Sequence, residues 1–485
     1  MKLSTSLNKE KKKYDILLVS VQRFSLATHS KKADGLNRLP PLGLMYLSSY
    51  LNKNGFKTKI LDMLPNRLDE IIHFIEKCNI KVVGFTTCTA TINLITTFLR
   101  KNSEIFSQKI VILGGTHVSA MPKSTLRKID DIDFVVVGEG EKILSDLLKN
   151  LKKINYKKSD ISKIRNRLNR MNGLCYRIGN NIRINKIPNT LKNLDEIPIP
   201  KRKGMANYVP PPNQYKKLPV AHIISSRGCN FKCSYCSVGN MSTEARYRSI
   251  DNVIKEIKYL LSLGIKEIHV WDECFTTNYQ RVENFCKKII KEDINFCWSC
   301  FSRVDTVDEK LLKLMKSTGC WCIFYGIESA NEEQLKLINK NISLKKAEEI
   351  VKITKKIGIS VRASFMIGLP GEHLMKAKKT IDFAVKLNPD YAQFCYTTPF
   401  PGTLLHKQHK KYGVLDAKFK NYSLWDPVFI PFGYKEKEDL IKVRKYAFRK
   451  FYLRPKYILN HLLSIRSYDD LTRLLKGSYF LLNYL

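Results

Sequence analysis

The chain has 485 residues, 44% of them apolar and 10% aromatic. That length allows roughly two or three domains with true cores and excludes a disordered tail, a collagen-like fibre or a disulfide-stapled miniprotein. Lys and Arg number 84 against 44 Asp and Glu, a net charge of +40, but they are spread along the chain as solvated faces, which argues against a nucleic-acid binder. No apolar run reaches the roughly 18 residues that span a bilayer. No signal peptide is visible either, so a cytoplasmic protein with its 13 Cys mostly reduced is expected.

The first 150 residues alternate strand and helix. Strands are predicted at 16–21, 58–62, 82–86, 110–113 and 134–137, with helices at 42–54, 67–78, 92–101 and 141–151. Strands near-continuous in Val, Ile and Leu, each followed by a helix, predict a doubly wound α/β domain on a parallel sheet. Residues 151–219 change character. Nine Lys/Arg against one Asp fall in 149–170, a hairpin-like segment surrounds Gly179-Asn180-Asn181, and prolines cluster at Pro198, Pro200 and Pro210 to Pro212. This reads as a linker.

Alternation resumes with strands at 220–225, 267–271, 296–301, 321–327, 360–367 and 391–396. Helices are predicted at 253–263, 281–291, 309–318, 344–357 and 376–387. Six βα units over 220–405 predict a partial parallel barrel with its chemistry at the C-terminal strand ends. Residues 406–485 read as a basic helical region.

The sharpest motif follows the first barrel strand: Arg227-Gly228-Cys229-Asn230-Phe231-Lys232-Cys233-Ser234-Tyr235-Cys236. This Cys-x-x-x-Cys-x-x-Cys spacing arises by chance in about one in a hundred chains with as many cysteines. A structural zinc site uses four protein ligands, and no fourth Cys or His follows closely. Three thiolates suit a 4Fe–4S cubane with one iron left open. The pattern resembles the radical S-adenosylmethionine (SAM) superfamily. The resemblance implies a cluster on Cys229, Cys233 and Cys236, with SAM chelated to the open iron.

Other strand-end residues resemble the same family. Tyr235 matches its adenine-facing aromatic, and Asp272 and Glu273 match groups near the methionyl amine. Gly326, Glu328 and Ser329, in Tyr325-Gly326-Ile327-Glu328-Ser329, match a SAM-contacting motif. Gly368 and Gly371, in Gly368-Leu369-Pro370-Gly371-Glu372, match the segment packing on adenosine. Carboxylates there accept hydrogen bonds from an ammonium or ribose, and glycines permit close backbone approach.

In the N-terminal domain, Pro40-Pro41-Leu42-Gly43, Gly84-Phe85-Thr86-Thr87, Gly114-Gly115-Thr116-His117 and Val137-Gly138-Glu139-Gly140-Glu141 resemble the cobalamin-binding domain fused ahead of radical SAM domains. The resemblance implies that Thr86, Thr87, Gly114, Gly115, Gly138, Glu139 and Gly140 bind cobalamin. Glycines and small hydroxyls at strand ends leave a crevice for a nucleotide-like tail and a corrin face, though a generic nucleotide pocket would read similarly. The Asp-x-His-x-x-Gly motif carrying a cobalt-ligating His is absent, and His117 is not expected to ligate cobalt.

The resemblance implies formation of a 5′-deoxyadenosyl radical and methylation of an unactivated carbon in a small-molecule or lipid substrate. Oxidative cyclisation or rearrangement is the alternative. A basic nucleic-acid-binding iron–sulfur protein is the alternative from another class. An external electron donor of flavodoxin or ferredoxin type is expected. Trp298, Cys300, Trp321, Phe394 and Tyr396 fit barrel core better than an apolar substrate pocket. In the tail, Arg444, Lys445, Arg449, Lys450, Arg454 and Lys456 interleave with Tyr446, Phe448, Phe451, Tyr452 and Leu453. That mixture suits a helix on an anionic membrane surface, or, as the slightly favoured reading, a helix packed on the barrel.

Overall fold

The computed structural model describes residues 13–22, 39–179, 181–186, 190–202, 208–238, 244–416, 418–419, 422–463, 465 and 468–482. The described residues divide into two compact units, the first built from 13–22, 41–192 and 196–201, the second from 39–40, 193–195 and 202 onward.

The first unit is a seven-stranded sheet. Its strands are β1 (Ile16–Val21), β2 (Thr58–Met63), β3 (Val82–Thr86), β4 (Ile110–Gly114), β5 (Phe134–Val136), β6 (Leu174–Ile178) and β7 (Asn181–Ile184), in the order β2-β1-β3-β4-β5-β6-β7. The five strands β1 to β5 are parallel. Ile16, Leu18, Val82, Ile110 and Ile112 pack under Leu44, Leu51, Leu147 and Leu151 of two helices. On the opposite face Phe85 meets Phe98 and Phe106 edge-on. Burial on both faces is why these strands read as unbroken apolar runs.

The expected linker is corrected in part. Residues 174–184 form a hairpin that adds β6 and β7 antiparallel to the sheet edge beside β5. Leu174, Cys175 and Tyr176 are buried there, so the segment belongs to the first core. Asn180, in the turn motif, lies outside the described residues.

The second unit holds six parallel strands: β8 (Val220–Ile223), β11 (Glu267–Val270), β12 (Cys297–Ser302), β13 (Cys320–Glu328), β14 (Ser360–Ile367) and β15 (Tyr391–Tyr396). Their order, β15-β14-β13-β12-β11-β8, is that of an open partial barrel. Two short strands, β9 (Ser226–Arg227) and β10 (Arg246–Tyr247), pair beside it. The helices returning to β11, β12, β13 and β14 start at side-chain caps, whereas the helix Leu374–Leu387 returning to β15 does not. Ser249, Asn278, Asp308 and Ser343 each accept a hydrogen bond from the backbone N–H three residues on.

The tail is settled largely in favour of packing. Phe448, Phe451 and Tyr452 of the helix Lys437–Tyr452 are buried, with Phe448 and Phe451 edge-on to Phe394 of β15. The Tyr452 hydroxyl donates to the Ala392 carbonyl at 2.7 Å. Exposed apolar groups lie instead on the next helix, Pro455–Leu463, at Ile458, Leu459, Leu462 and Leu463. No helix among the described residues is long and apolar enough to cross a membrane.

Candidate functional site

The cysteine loop leaves β9 at the carboxyl end of the barrel and is pinned from below. The buried Asp272 carboxylate, just past β11, accepts from the Ser225 N–H at 2.6 Å, the Ser226 N–H at 3.0 Å and the Ser225 hydroxyl at 2.5 Å. Within the loop, the Ser234 N–H donates to the Ile338 carbonyl at 2.9 Å, and its own carbonyl accepts from the Leu405 N–H at 2.8 Å. Arg303 braces one side, stacked 3.8 Å over the Phe231 ring, paired with Asp305 at 2.7 Å and 3.9 Å from the Cys233 Sγ.

Burial pushes the Cys229 thiol up to about 11 and also raises Cys236, and each is raised further by neighbouring cysteines. Raised thiols such as Cys229 and Cys236 call for a cation, which deprotonates a coordinating thiol outright. Among the described residues no cluster of His, Cys, Asp and Glu closes around a single metal ion. A cubane fits better, because each thiolate then binds a different iron and the three sulfurs need not converge.

Glu328 ends β13 in the left-handed region, at φ 70°, where the pairing with β14 shifts between Gly326 and Glu328. That bulge folds its carboxylate back over Gly326, where a Cβ would lie 2.5 Å from Glu328 Oε1 and 2.8 Å from Lys340 Nζ. A side chain at position 326 would push the Glu328–Lys340 pair aside. Glu328 Oε1 accepts from the Tyr235 hydroxyl at 3.1 Å and from Lys340 at 3.3 Å, and Oε2 accepts from the Ser364 hydroxyl at 2.8 Å. An ionised carboxylate has about four acceptor positions, so one remains on Oε2. Tyr235 is held well above its usual pKa, first by burial and then by Glu328.

Tyr235, Gly326 and Glu328 are thus brought together. Glu273 is exposed and near enough to raise Cys236. Two other residues are committed elsewhere: Asp272 holds the serine backbone, and Ser329 is buried in a network with Gln334, Asn331 and Thr380. The Gly368 N–H donates to Glu372 Oε1 at 2.6 Å, and a side chain at Gly371 would touch Leu337. Burial raises Glu372 to about 7, and the Tyr434 hydroxyl donates to it at 2.8 Å.

In the first unit the candidates gather at adjacent strand ends. The order of the sheet reverses between β1 and β3, the place where such sheets open a crevice. Thr87, after β3, donates its N–H and hydroxyl to the Gly114 carbonyl, both at 2.8 Å. Gly115 has φ 102°, and a Cβ there would meet the Thr87 carbonyl at 2.3 Å and Thr86 Oγ1 at 3.1 Å. The Gly138 N–H donates to Ser119 Oγ at 2.9 Å, while Glu139 and Gly140 open the helix Gly140–Lys152.

His117 is buried, its Nδ1 lies 3.1 Å from Thr89 Oγ1, and burial lowers its pKa to about 4. Below pH 6.5 the unfolded chain takes up a proton that the native ring refuses. Stability should therefore fall from pH 6.5 to about 4, by about 3 kcal/mol, and level off below. His117→Gln should flatten that slope in urea titrations at pH 7 and pH 4. An unchanged slope would mean the ring protonates freely in the fold.

A model of the Radical SAM superfamily matches residues 223–384, and one of the B12 binding domain matches residues 33–148. An uncharacterized methyltransferase of Pyrococcus horikoshii is 35% identical over 429 residues, covering 87% of this chain and 89% of the relative. The chain belongs to the B12-binding radical SAM family. This radical SAM enzyme is also 27% identical over 443 residues to the anaerobic magnesium-protoporphyrin IX monomethyl ester cyclase of Rubrivivax gelatinosus, covering 89% of this chain and 77% of the cyclase. Its fold is that of the cobalamin-dependent S-adenosylmethionine radical enzyme OxsB, with a TM-score of 0.72 at 17% identity over 98% of this chain and 72% of OxsB. The methyltransferase TsrM of Kitasatospora setae shares the fold at a TM-score of 0.64 and 19% identity, over 82% and 76% of the two chains.

Several residues of this radical SAM enzyme's site were not singled out from the sequence. Arg303 and Lys340 lie between motifs, and only the pair Arg303-Val304-Asp305 after β12 hinted at a strand-end charge. Cys274 is electrostatically coupled to Cys229 but carries no spacing signal. Of the five residues weighed as barrel core, Trp298 packs on Phe275 and Phe285 towards the helices, and Phe394 stacks on Phe365. Tyr396 lies beneath Arg444, whereas Cys300 and Trp321 line an interior cleft.

Proposed function

We propose that this enzyme methylates a carbon centre of a small-molecule or lipid substrate, using SAM, a 4Fe–4S cluster and cobalamin. The observation that carries the reading is the joining, in one chain, of a B12-binding sheet and a barrel whose cysteine loop abuts the Glu328 site. Its similarity over most of its length to a protein named as a methyltransferase supports it. When bound, the cluster supplies the electron that cleaves SAM and cobalamin carries the methyl group.

Cys229, Cys233 and Cys236 would hold the cluster, and Arg303 beside Cys233 would offset its negative charge. The free position on Glu328 Oε2 would accept a hydrogen bond from SAM, with Tyr235 and Lys340 fixing the carboxylate in place. Thr86, Thr87, Gly114, Gly115, Gly138, Glu139 and Gly140 would line the corrin crevice. The basic chain suits an acidic flavodoxin or ferredoxin as external reductant.

The test incubates reconstituted enzyme with methyl-labelled SAM, a reductant and candidate substrates. Label in the product carbon skeleton is expected. Ring closure without label would favour cyclisation, the second reading, which the 27% identity to a cyclase supports.

We also infer a cytoplasmic enzyme that touches anionic membranes through Ile458, Leu459, Leu462 and Leu463, flanked by Arg454 and Lys456. Co-sedimentation with anionic vesicles should fall between 0.1 M and 1 M salt, as the Debye length shrinks from about 10 Å to about 3 Å. Equal binding to neutral vesicles, or none to either, would remove the inference.

A further inference from the structure

The inward faces of the barrel strands hold a polar site that no motif marks. Alternation along β12 buries Trp298, Cys300 and Ser302 and leaves Cys297, Ser299 and Phe301 half-buried towards the barrel interior. In register with Phe301 stands Phe324 of β13, and in register with Phe324 stands Arg362 of β14. Trp271, just past β11, stacks on Phe301 at 6.1 Å and 29°, and Phe301 lies 5.3 Å from Phe324. The Arg362 guanidinium lies 4.5 Å from the centre of the Phe324 ring. These four residues, with Ser299 and Trp321, border a narrow cleft that opens to solvent.

The cation in this cleft has no counter-charge. Among the described residues Arg362 makes no salt bridge and donates no hydrogen bond; its guanidinium lies over the Phe324 ring, with Cys322, Tyr391 and Tyr452 nearby. The Glu267 carboxylate, bonded to the lining residues Trp321 and His269, is fully buried and already used. It accepts from Trp321 Nε1 at 2.9 Å and from the N–H groups of Lys216 and Lys217 at 2.7 Å, and its Oε1 lies 2.8 Å from His269 Nε2. Beside the cleft, His222 packs between His269 and Trp271 with both ring nitrogens buried and without partners. Burial lowers the Arg362 pKa. A guanidinium carries five donors in a planar fork matched to a carboxylate, so an unpaired one among ring faces implies an external partner.

The cleft also stands in the right place. Arg362 is two residues before Ser364, which pairs with Gly326 and binds Glu328. At about 3.3 Å per residue, the guanidinium strand position is one interior layer, some 7 Å, beneath the Glu328 site. Resting on the radical SAM reading above, we infer that this cleft binds the substrate, and that the substrate is a planar aromatic or conjugated acid whose carboxylate pairs with Arg362 while its ring system lies among Trp271, Phe301 and Phe324.

The test requires binding only, so it does not depend on turnover. Full-length reconstituted protein is titrated calorimetrically with 2-naphthoate and with its neutral isostere 2-naphthamide. The acid should bind on the order of tenfold more tightly, because a charged hydrogen-bonded pair replaces an amide contact. Arg362→Met should abolish the preference while leaving 2-naphthamide affinity within about twofold, Arg362→Lys should retain part of it, and Phe324→Leu should weaken both ligands. Circular dichroism melts establish that each variant is folded, and Arg362→Lys carries the test if Arg362→Met is not. Equal affinity for acid and amide in the wild type overturns the inference, as does a preference that survives Arg362→Met. SAM cleavage assayed without these probes reports on the enzyme reading separately.

Discussion

Replacing Cys229, Cys233 and Cys236 together by Ala is expected to remove all cluster absorbance and to reduce SAM cleavage to the level of buffer alone. The fold should survive, because the loop is held by backbone bonds at Ser225, Ser226 and Ser234, none of which uses a cysteine side chain. Iron content, the visible spectrum and 5′-deoxyadenosine yield after anaerobic reconstitution read the outcome. A triple variant that kept its full complement of iron would place the ligands in another subset of the 13 cysteines. Cys274 would then be the first to examine, since it lies near enough to Cys229 to raise its thiol.

Glu328→Gln should have the second largest effect. The amide oxygen can still accept from Tyr235 or Ser364, but the Lys340 ammonium, 6% exposed, loses its carboxylate at 3.3 Å. Removing one partner of a buried ion pair costs about 3–5 kcal/mol. Urea titration should show that loss, and SAM affinity should fall with it. The double variant Glu328→Gln with Lys340→Met should recover much of the stability and none of the SAM affinity. That split separates a carboxylate needed for binding from one needed only to balance a lysine. Full recovery of both would sink the assignment of Glu328 to SAM.

The cysteine loop stood out because its spacing is local. Cys229, Cys233 and Cys236 sit within one short loop, and that spacing is rare enough to stand out. Glu328 and Gly326 were legible as a motif, but that motif implied contact with SAM for Ser329 as well, and the separate Trp271-Asp272-Glu273 segment implied it for Asp272. In the fold Ser329 turns into a buried network and Asp272 anchors Ser225 and Ser226. A strand-end carboxylate reads the same whether it faces ligand or backbone, since its partners lie far away in sequence: Asp272 and Ser225 are separated by 47 positions.

By itself the sequence determined the α/β class, the strand and helix positions, the six-unit barrel and the cysteine triad. All of these follow from apolar periodicity, cap residues and short-range spacing. Only the tertiary structure decided that residues 174–184 close the edge of the first sheet, since hairpin pairing with β5 depends on a neighbour some forty residues away in the chain. It also decided which face of each barrel strand looks inward. Alternation gives two equivalent faces, and the choice between Trp298 or Phe301, and between Val361 or Arg362, is made by where the returning helices lie. That choice brings Arg362 without a partner among Trp271, Phe301 and Phe324, from four strands or strand ends no local pattern connects.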